Sequence, residues 1–186
     1  MQTLDVPPLF EDLGHALATD YFFVREQLTA DQLAVLRGVR EFVDDEVLPV
    51  IAGYWERAEL PWPLIHRVGE LGILGEDITG YGCPGLDPIA CGLAYMELNR
   101  GDGSFGTVLG VQSGLAMKSI AMFGSEEQKQ HWLPDMASVR KLGAFALTEP
   151  DHGSDSVALE TTAHRDGNKY VINGAKRWIA TAASPT

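Results

Sequence analysis

The sequence predicts an all-α domain followed by the opening strands of a β domain. Three observations carry that prediction. From residue 29 to about residue 140, apolar residues recur at intervals of three and four, the spacing of helices with one buried face. Thr29-Ala30-Asp31-Gln32 and Ser125-Glu126-Glu127-Gln128 each have the form of a capping box, in which a hydroxyl and a Gln amide reciprocally satisfy free backbone N–H groups. At about Leu142 the apolar period changes from about 3.6 residues to about 2. Asp166-Gly167 and Asn173-Gly174 then punctuate the runs, a strong hairpin signal.

Taken in order, residues 1–28 mix Pro7-Pro8, acidic residues and the cluster Tyr21-Phe22-Phe23-Val24, and read as an irregular arm packed by its aromatics. The first helix opens at Thr29. Its stripe runs through Leu33, Leu36, Val39, Val43, Val47, Val50 and Tyr54, and Pro49 should kink or split it, having no N–H to donate. Pro61-Trp62-Pro63 resets the chain, and a second helix with Leu64, Ile65, Val68 and Leu71 stops near Gly72. A glycine-rich loop to Gly85 follows. Asp87-Pro88 is an N-cap and first-turn pair for a helix running to about Arg100. From Gly103 to Phe123 a glycine-spotted helical stretch is expected to break near Gly114. Ser125 opens the last helix, with Trp132, Leu133 and Met136 as its buried face. The expected units are thus an arm over 1–28, a helical domain over 29–141 and a partial β domain over 142–186.

Composition narrows the function. A formal charge of -12 argues against nucleic acid or an anionic membrane surface as partner. No apolar run reaches the roughly 20 residues of a membrane span. Two cysteines, Cys83 and Cys91, are too few for a disulfide framework, so a reducing compartment is the default. The N-terminus carries no Lys or Arg before Arg25 and resembles neither a secretory signal nor a transit peptide, so a cytoplasmic location is expected, with a peroxisomal or mitochondrial parent left open. The five histidines show no ligand spacing, and no metal site is expected. Gly101-Asp102-Gly103-Ser104-Phe105-Gly106 spells a dinucleotide fingerprint, but a helical run precedes it where a strand is required. Asp87 and Glu97 are unconvincing as an acid–base pair and read as a cap and a solvated charge.

Ala144 to Ser156 carries the chemistry. It begins as a short apolar run, the pattern of a buried strand, and breaks at Glu149-Pro150 into a loop of small and polar residues. Gly153-Ser154 offers bare amides and a hydroxyl that a phosphate can approach closely. A Thr hydroxyl at a strand end followed by such a turn suits a flat heteroaromatic cofactor with a phosphate tail. Phe145-Ala146-Leu147-Thr148-Glu149-Pro150-Asp151-His152-Gly153-Ser154-Asp155 resembles the flavin signature of the acyl-CoA dehydrogenase family. Lys176-Arg177-Trp178-Ile179 resembles its second flavin segment, and Gly124-Ser125-Glu126-Glu127-Gln128-Lys129 its interdomain helix start. Within the family, Gly80-Tyr81-Gly82-Cys83-Pro84-Gly85 and Val111-Gln112-Ser113 look most like the glutaryl-CoA dehydrogenase and plant peroxisomal short-chain acyl-CoA oxidase branch.

The resemblance implies a β-barrel-like middle domain after the helices, then a C-terminal four-helix domain for which this chain has no residues, so a truncated product or fragment, inactive by itself, is expected. It implies FAD as cofactor, with Phe145, Leu147 and Thr148 along the ring and its pyrimidine edge, Gly153 and Ser154 at the pyrophosphate, and Trp178 and Ile179 against the flavin. Ser154 would also border the CoA thread. The implied reaction is α,β-desaturation of an acyl-CoA, with electrons passed to electron-transfer flavoprotein, or to oxygen in an oxidase, by a parent homotetramer. The implied base is a glutamate of the C-terminal domain. Two positions depart from the family pattern. Ala180 stands where the family has a Thr that donates near flavin N5. Gly106 stands where glutaryl-CoA dehydrogenases have an Arg for the distal carboxylate, which favours a short unsubstituted acyl group. Two alternatives stay open: an acyl-CoA oxidase, separable by reoxidation in air, and a non-catalytic helical interaction module, which a copurifying second polypeptide would favour.

Overall fold

The structure, a computed structural model, describes residues 23–180. The expected arm up to Phe22, and Thr181 beyond Ala180, lie outside the described residues. After a short 3-10 turn, Val24–Gln27, helix α1 spans Ala30–Phe42. The predicted box at its start is formed: the Gln32 amide donates to Thr29 Oγ1 at 3.3 Å and the Thr29 amide to Gln32 Oε1 at 3.0 Å. The helix passes into a π-helical turn, Val43–Val47, and splits at Pro49, resuming as α2, Ile51–Arg57. Leu36, Val39, Val43 and Val47 are buried; Val50, beyond the split, is 44% exposed. Helix α3, Trp62–Glu70, buries Leu64, Ile65 and Val68. The glycine-rich loop carries an unexpected miniature hairpin, β1 (Thr79–Gly80) against β2 (Cys83–Pro84).

Helix α4, Pro88–Gly101, begins where Asp87 Oδ1 accepts the amides of Ile89 at 2.8 Å and Ala90 at 3.1 Å. The same oxygen accepts from Gln32 Nε2 at 3.1 Å, so one cap joins the starts of two helices. Helices α1 and α4 pack along each other. Between them Arg40 grips Glu97 with Nε to Oε2 at 3.0 Å and Nη2 to Oε1 at 2.6 Å, and Arg100 Nε adds a contact of 2.8 Å to Oε2. Glu97 is therefore not a solvated charge. It is 0% exposed, because it shares the α1-facing side of α4 with Ala90, Ala94 and Leu98 and is tolerated there only by its arginine partners.

Helix α5, Gly103–Leu109, runs through a π-helical segment, Gly110–Met117, into α6, Lys118–Phe123. The expected break at Gly114 is instead a widened helix, which keeps its backbone bonded through the glycines. Helix α7, Glu126–Ala137, opens on the second predicted box, with Gln128 N donating to Ser125 Oγ at 3.2 Å and Ser125 N to Gln128 Oε1 at 2.8 Å. Leu133 and Met136 are buried, but Trp132 is 42% exposed, against expectation. One residue from Leu133 is about 100° round the helix, so Trp132 falls at the margin of the stripe. There it meets His131 edge-on at 4.7 Å and the Lys141 ammonium at 4.9 Å. The main core joins α1, α3, α4 and α5, with Phe42 and Phe105 edge to face at 6.1 Å. A smaller cluster of Ile78, Met117, Leu133 and Met136 lies beneath the β1–β2 loop.

The predicted hairpin is present as β3, Thr162–Asp166, antiparallel to β4, Lys169–Asn173. Gly167 takes φ 60° in its two-residue loop, a conformation that favours glycine at such a turn. Both strands are exposed along their whole length. The run Ala144–Thr148 departs from expectation: it is not in a ladder and is not buried, with Phe145 38% and Leu147 39% exposed. A strand exists only through its partner, and here a single-point backbone contact, Arg177 N donating to Thr148 O at 2.8 Å, links it to another segment.

Candidate cofactor-binding site

The segment leaves the helical domain at a junction built by one side chain. Gln112, 1% exposed in the π-helical segment, donates Nε2 to the carbonyls of Met136 and Lys141, each at 2.9 Å. Its Oε1 accepts the Gly143 amide at 2.7 Å. The end of α7 and the chain entering Ala144 are thus bound to the same amide group. Next to it, Ser113 Oγ accepts the Gly75 amide at 2.9 Å, so the Gln112-Ser113 pair braces two chain crossings.

Beyond the junction, Glu149 is the hub. It is 4% exposed although it sits in a polar loop. Oε2 accepts the Glu160 amide at 2.6 Å; Oε1 accepts the Thr161 amide and Lys176 Nζ, each at 2.9 Å. Lys176 Nζ also donates to Leu147 O at 2.9 Å. The loop closes on itself through Glu149 N to His152 O at 3.0 Å and His152 N to Glu149 O at 3.3 Å. Hydrogen bonding from Thr161 first, then from Lys176 and the Glu160 amide, holds the Glu149 carboxyl well below the usual carboxylate range. Gly174 permits the close approach: a Cβ there would lie 2.7 Å from Thr161 Cα.

The structure therefore brings Leu147, Thr148 and Glu149 to Lys176 and Arg177, and leaves the apolar side chains beside them uncovered. Phe145 and Leu147 are partly exposed, Thr148 is half-buried, and Trp178 is 78% exposed. Trp178 holds φ 59°, an uncommon conformation for an aromatic residue, with the Arg177 guanidinium 4.4 Å from its ring centroid. Ile179 and Ala180 are half-buried. Gly153 and Ser154 are exposed in the turn, and a Cβ on Gly153 would meet nothing within 4 Å. Gly106 belongs to a different element, buried on α5 where a Cβ would strike the Asn99 side chain. Sequence reasoning had not assigned Glu149 or Lys176 a role. The available signal was an acid just past the apolar run Ala144–Leu147, after Thr148, and a lysine directly before Arg177-Trp178-Ile179.

Residues 29–140 match the family model "Acyl-CoA dehydrogenase, N-terminal domain", and residues 144–186 match "Acyl-CoA dehydrogenase, middle domain". The chain belongs to the acyl-CoA dehydrogenase family. It is 38% identical over 149 residues to the mitochondrial short-chain specific acyl-CoA dehydrogenase of Homo sapiens, covering 80% of this chain and 36% of that protein. An acyl-CoA dehydrogenase of Bacillus subtilis is 37% identical over 82% of this chain and 40% of its own length. Among solved structures, a glutaryl-CoA dehydrogenase from Mycobacterium smegmatis in complex with FADH2 superposes with a TM-score of 0.82 at 44% identity, over 85% of this chain and 41% of that one. The chain thus spans well under half the length of these acyl-CoA dehydrogenases. Among the described residues no helix is long and apolar enough to cross a membrane, and no group of three or more His, Cys, Asp or Glu is placed to hold a metal ion.

Proposed function

We propose that this chain is the leading part of an FAD-dependent acyl-CoA dehydrogenase acting on a short-chain acyl-CoA, and that Phe145–Ser154 with Lys176–Ala180 form one wall of its flavin site. The observation that supports this most is the joining of the two segments. Lys176 and Arg177 are bonded to Leu147, Thr148 and Glu149, while Phe145, Leu147 and Trp178 stay exposed beside them. Exposed aromatic and aliphatic area held on a braced scaffold fits a flat ring system, and the open Gly153-Ser154 turn fits a pyrophosphate. Bound FAD supplies the hydride acceptor for α,β-desaturation. The chain's own residues orient: Phe145, Leu147, Thr148, Trp178, Ile179 and Ala180 along the ring, Gly153 and Ser154 at the phosphates, with Ser154 also bordering the CoA thread.

Gly106 places no cation at the position that would meet a distal carboxylate, which supports an unsubstituted acyl group over a diacid. Electron-transfer flavoprotein as acceptor, a homotetrameric parent and a cytoplasmic location complete the reading; free Cys83 and Cys91 accord with a reducing compartment. The test uses the full-length protein: its FAD content, and anaerobic bleaching of the flavin by butyryl-CoA and glutaryl-CoA. Stoichiometric FAD and faster bleaching by butyryl-CoA are expected. A purified protein free of flavin, or one that no acyl-CoA bleaches, would sink the reading.

A further inference from the structure

We propose that Glu149 and Lys176 are positioning residues, an ion pair of a buried carboxylate with a half-buried ammonium that sets the register between the Phe145–Thr148 and Arg177–Ala180 segments and so fixes the place of Trp178. The relevance of that register to a flavin rests on the reading given under Proposed function; the register itself rests on geometry. The Glu149 carboxylate makes three hydrogen bonds, two from the amides of Glu160 and Thr161 and one from Lys176. Either half of the pair alone would leave a desolvated charge. Lys176, at 22% side-chain exposure against 4% for Glu149, has a second acceptor in the Leu147 carbonyl. Its ammonium therefore spans both neighbours of Thr148. With Lys176 anchored there, the next residue's amide reaches Thr148 O at 2.8 Å, and the one after, Trp178, takes its left-handed φ of 59°. Phe145, Leu147 and Trp178 are too exposed to lock one another by packing. Charge-assisted hydrogen bonds are the stronger constraint available to this region.

The substitutions that test this are Lys176→Met, Lys176→Arg and the near-isosteric Glu149→Gln. In the 186-residue chain, hydrogen exchange at the Arg177 amide and the indole N–H resonance of Trp178 report the register without any flavin. Lys176→Met and Glu149→Gln should lower Arg177 protection about tenfold or more, the scale of losing a hydrogen bond to a charged group, and should move the Trp178 resonance. Lys176→Arg, which keeps the charge, should recover part of both. Far-UV circular dichroism unchanged in the helical region shows that the fold survives. In the full-length holoprotein the same two variants should weaken FAD about tenfold and broaden its absorption bands. Arg177 protection and the Trp178 resonance unchanged in both variants would overturn the proposal. If both readouts move but full-length wild type holds no FAD, the register device stands and the flavin reading falls.

Discussion

Gly106 and Ala180 are the residues through which substrate and flavin tuning are most directly tested. On the proposed reading, Gly106→Arg introduces a cation toward a diacid's distal carboxylate, but the structure adds a condition. The new Cβ meets the Asn99 side chain, whose Nδ2 donates to Tyr95 O at 2.8 Å, so Asn99 must swing outward. Asn99 is exposed and free to do so at the loss of that bond. In the full-length enzyme Gly106→Arg should therefore move the glutaryl-to-butyryl ratio of kcat/KM upward by about tenfold, and further with Asn99→Ala beside it. A ratio that does not move in the double variant would place residue 106 away from the substrate. Ala180 has no side-chain donor. Ala180→Thr should shift the visible spectrum of bound flavin and slow its reoxidation by air, measured by stopped-flow absorbance; an unchanged spectrum and rate would place residue 180 away from the ring.

At the scale of elements, two buried acids hold the structure together by different logic. Glu97 locks α4 to α1 through Arg40 and is fully buried. Glu97→Ala leaves the Arg40 guanidinium, 11% exposed, without its partner, and should cost about 3–5 kcal/mol in urea unfolding. A loss below about 1 kcal/mol would mean that water or Asp44 replaces the partner. Glu149 acts within the loop, and its effect is visible in pH. Its folded pKa is depressed, so its contribution is fully present above the ordinary glutamate value of 4.5 and is lost as pH falls through the folded value. The Trp178 indole resonance should thus hold steady down to about pH 5 and move only well below 4.5. Movement centred near neutral pH would show that the Glu149 carboxylate does not control the segment.

The whole molecule divides by how its apolar surface is treated. The helical part buries two clusters and caps three of its helices with side chains already visible as motifs. The part after Gly143 leaves Val157 94%, Tyr170 70%, Ile172 69% and Trp178 78% exposed, and a lone hairpin is marginal in water. Residues 1–186 alone are therefore expected neither to retain FAD through gel filtration nor to desaturate an acyl-CoA, and residues 29–140 are expected to unfold cooperatively by themselves. A flavin that co-elutes with the 186-residue chain and bleaches with butyryl-CoA would show that this surface suffices.

Helix caps, the Pro49 split and the β3–β4 turn are legible in the sequence, and the reason is distance along the chain. The caps at Thr29, Asp87 and Ser125 find their partners within three residues, and the split at Pro49 follows from one missing N–H. The β3–β4 hairpin likewise closes over two residues. The family resemblance was legible for the same reason, since each motif is contiguous. What only the tertiary structure decided involves partners far away. Glu97 looks like any surface acid until Arg40, 57 positions earlier, is placed against it. Glu149 and Lys176 are 27 apart, and nothing at either position announces the other. Ala144–Thr148 has the composition of a buried strand, yet strand and burial are both properties of neighbours. Capping and turn chemistry are written in adjacent residues; desolvation and pairing are settled only when the chain returns to itself.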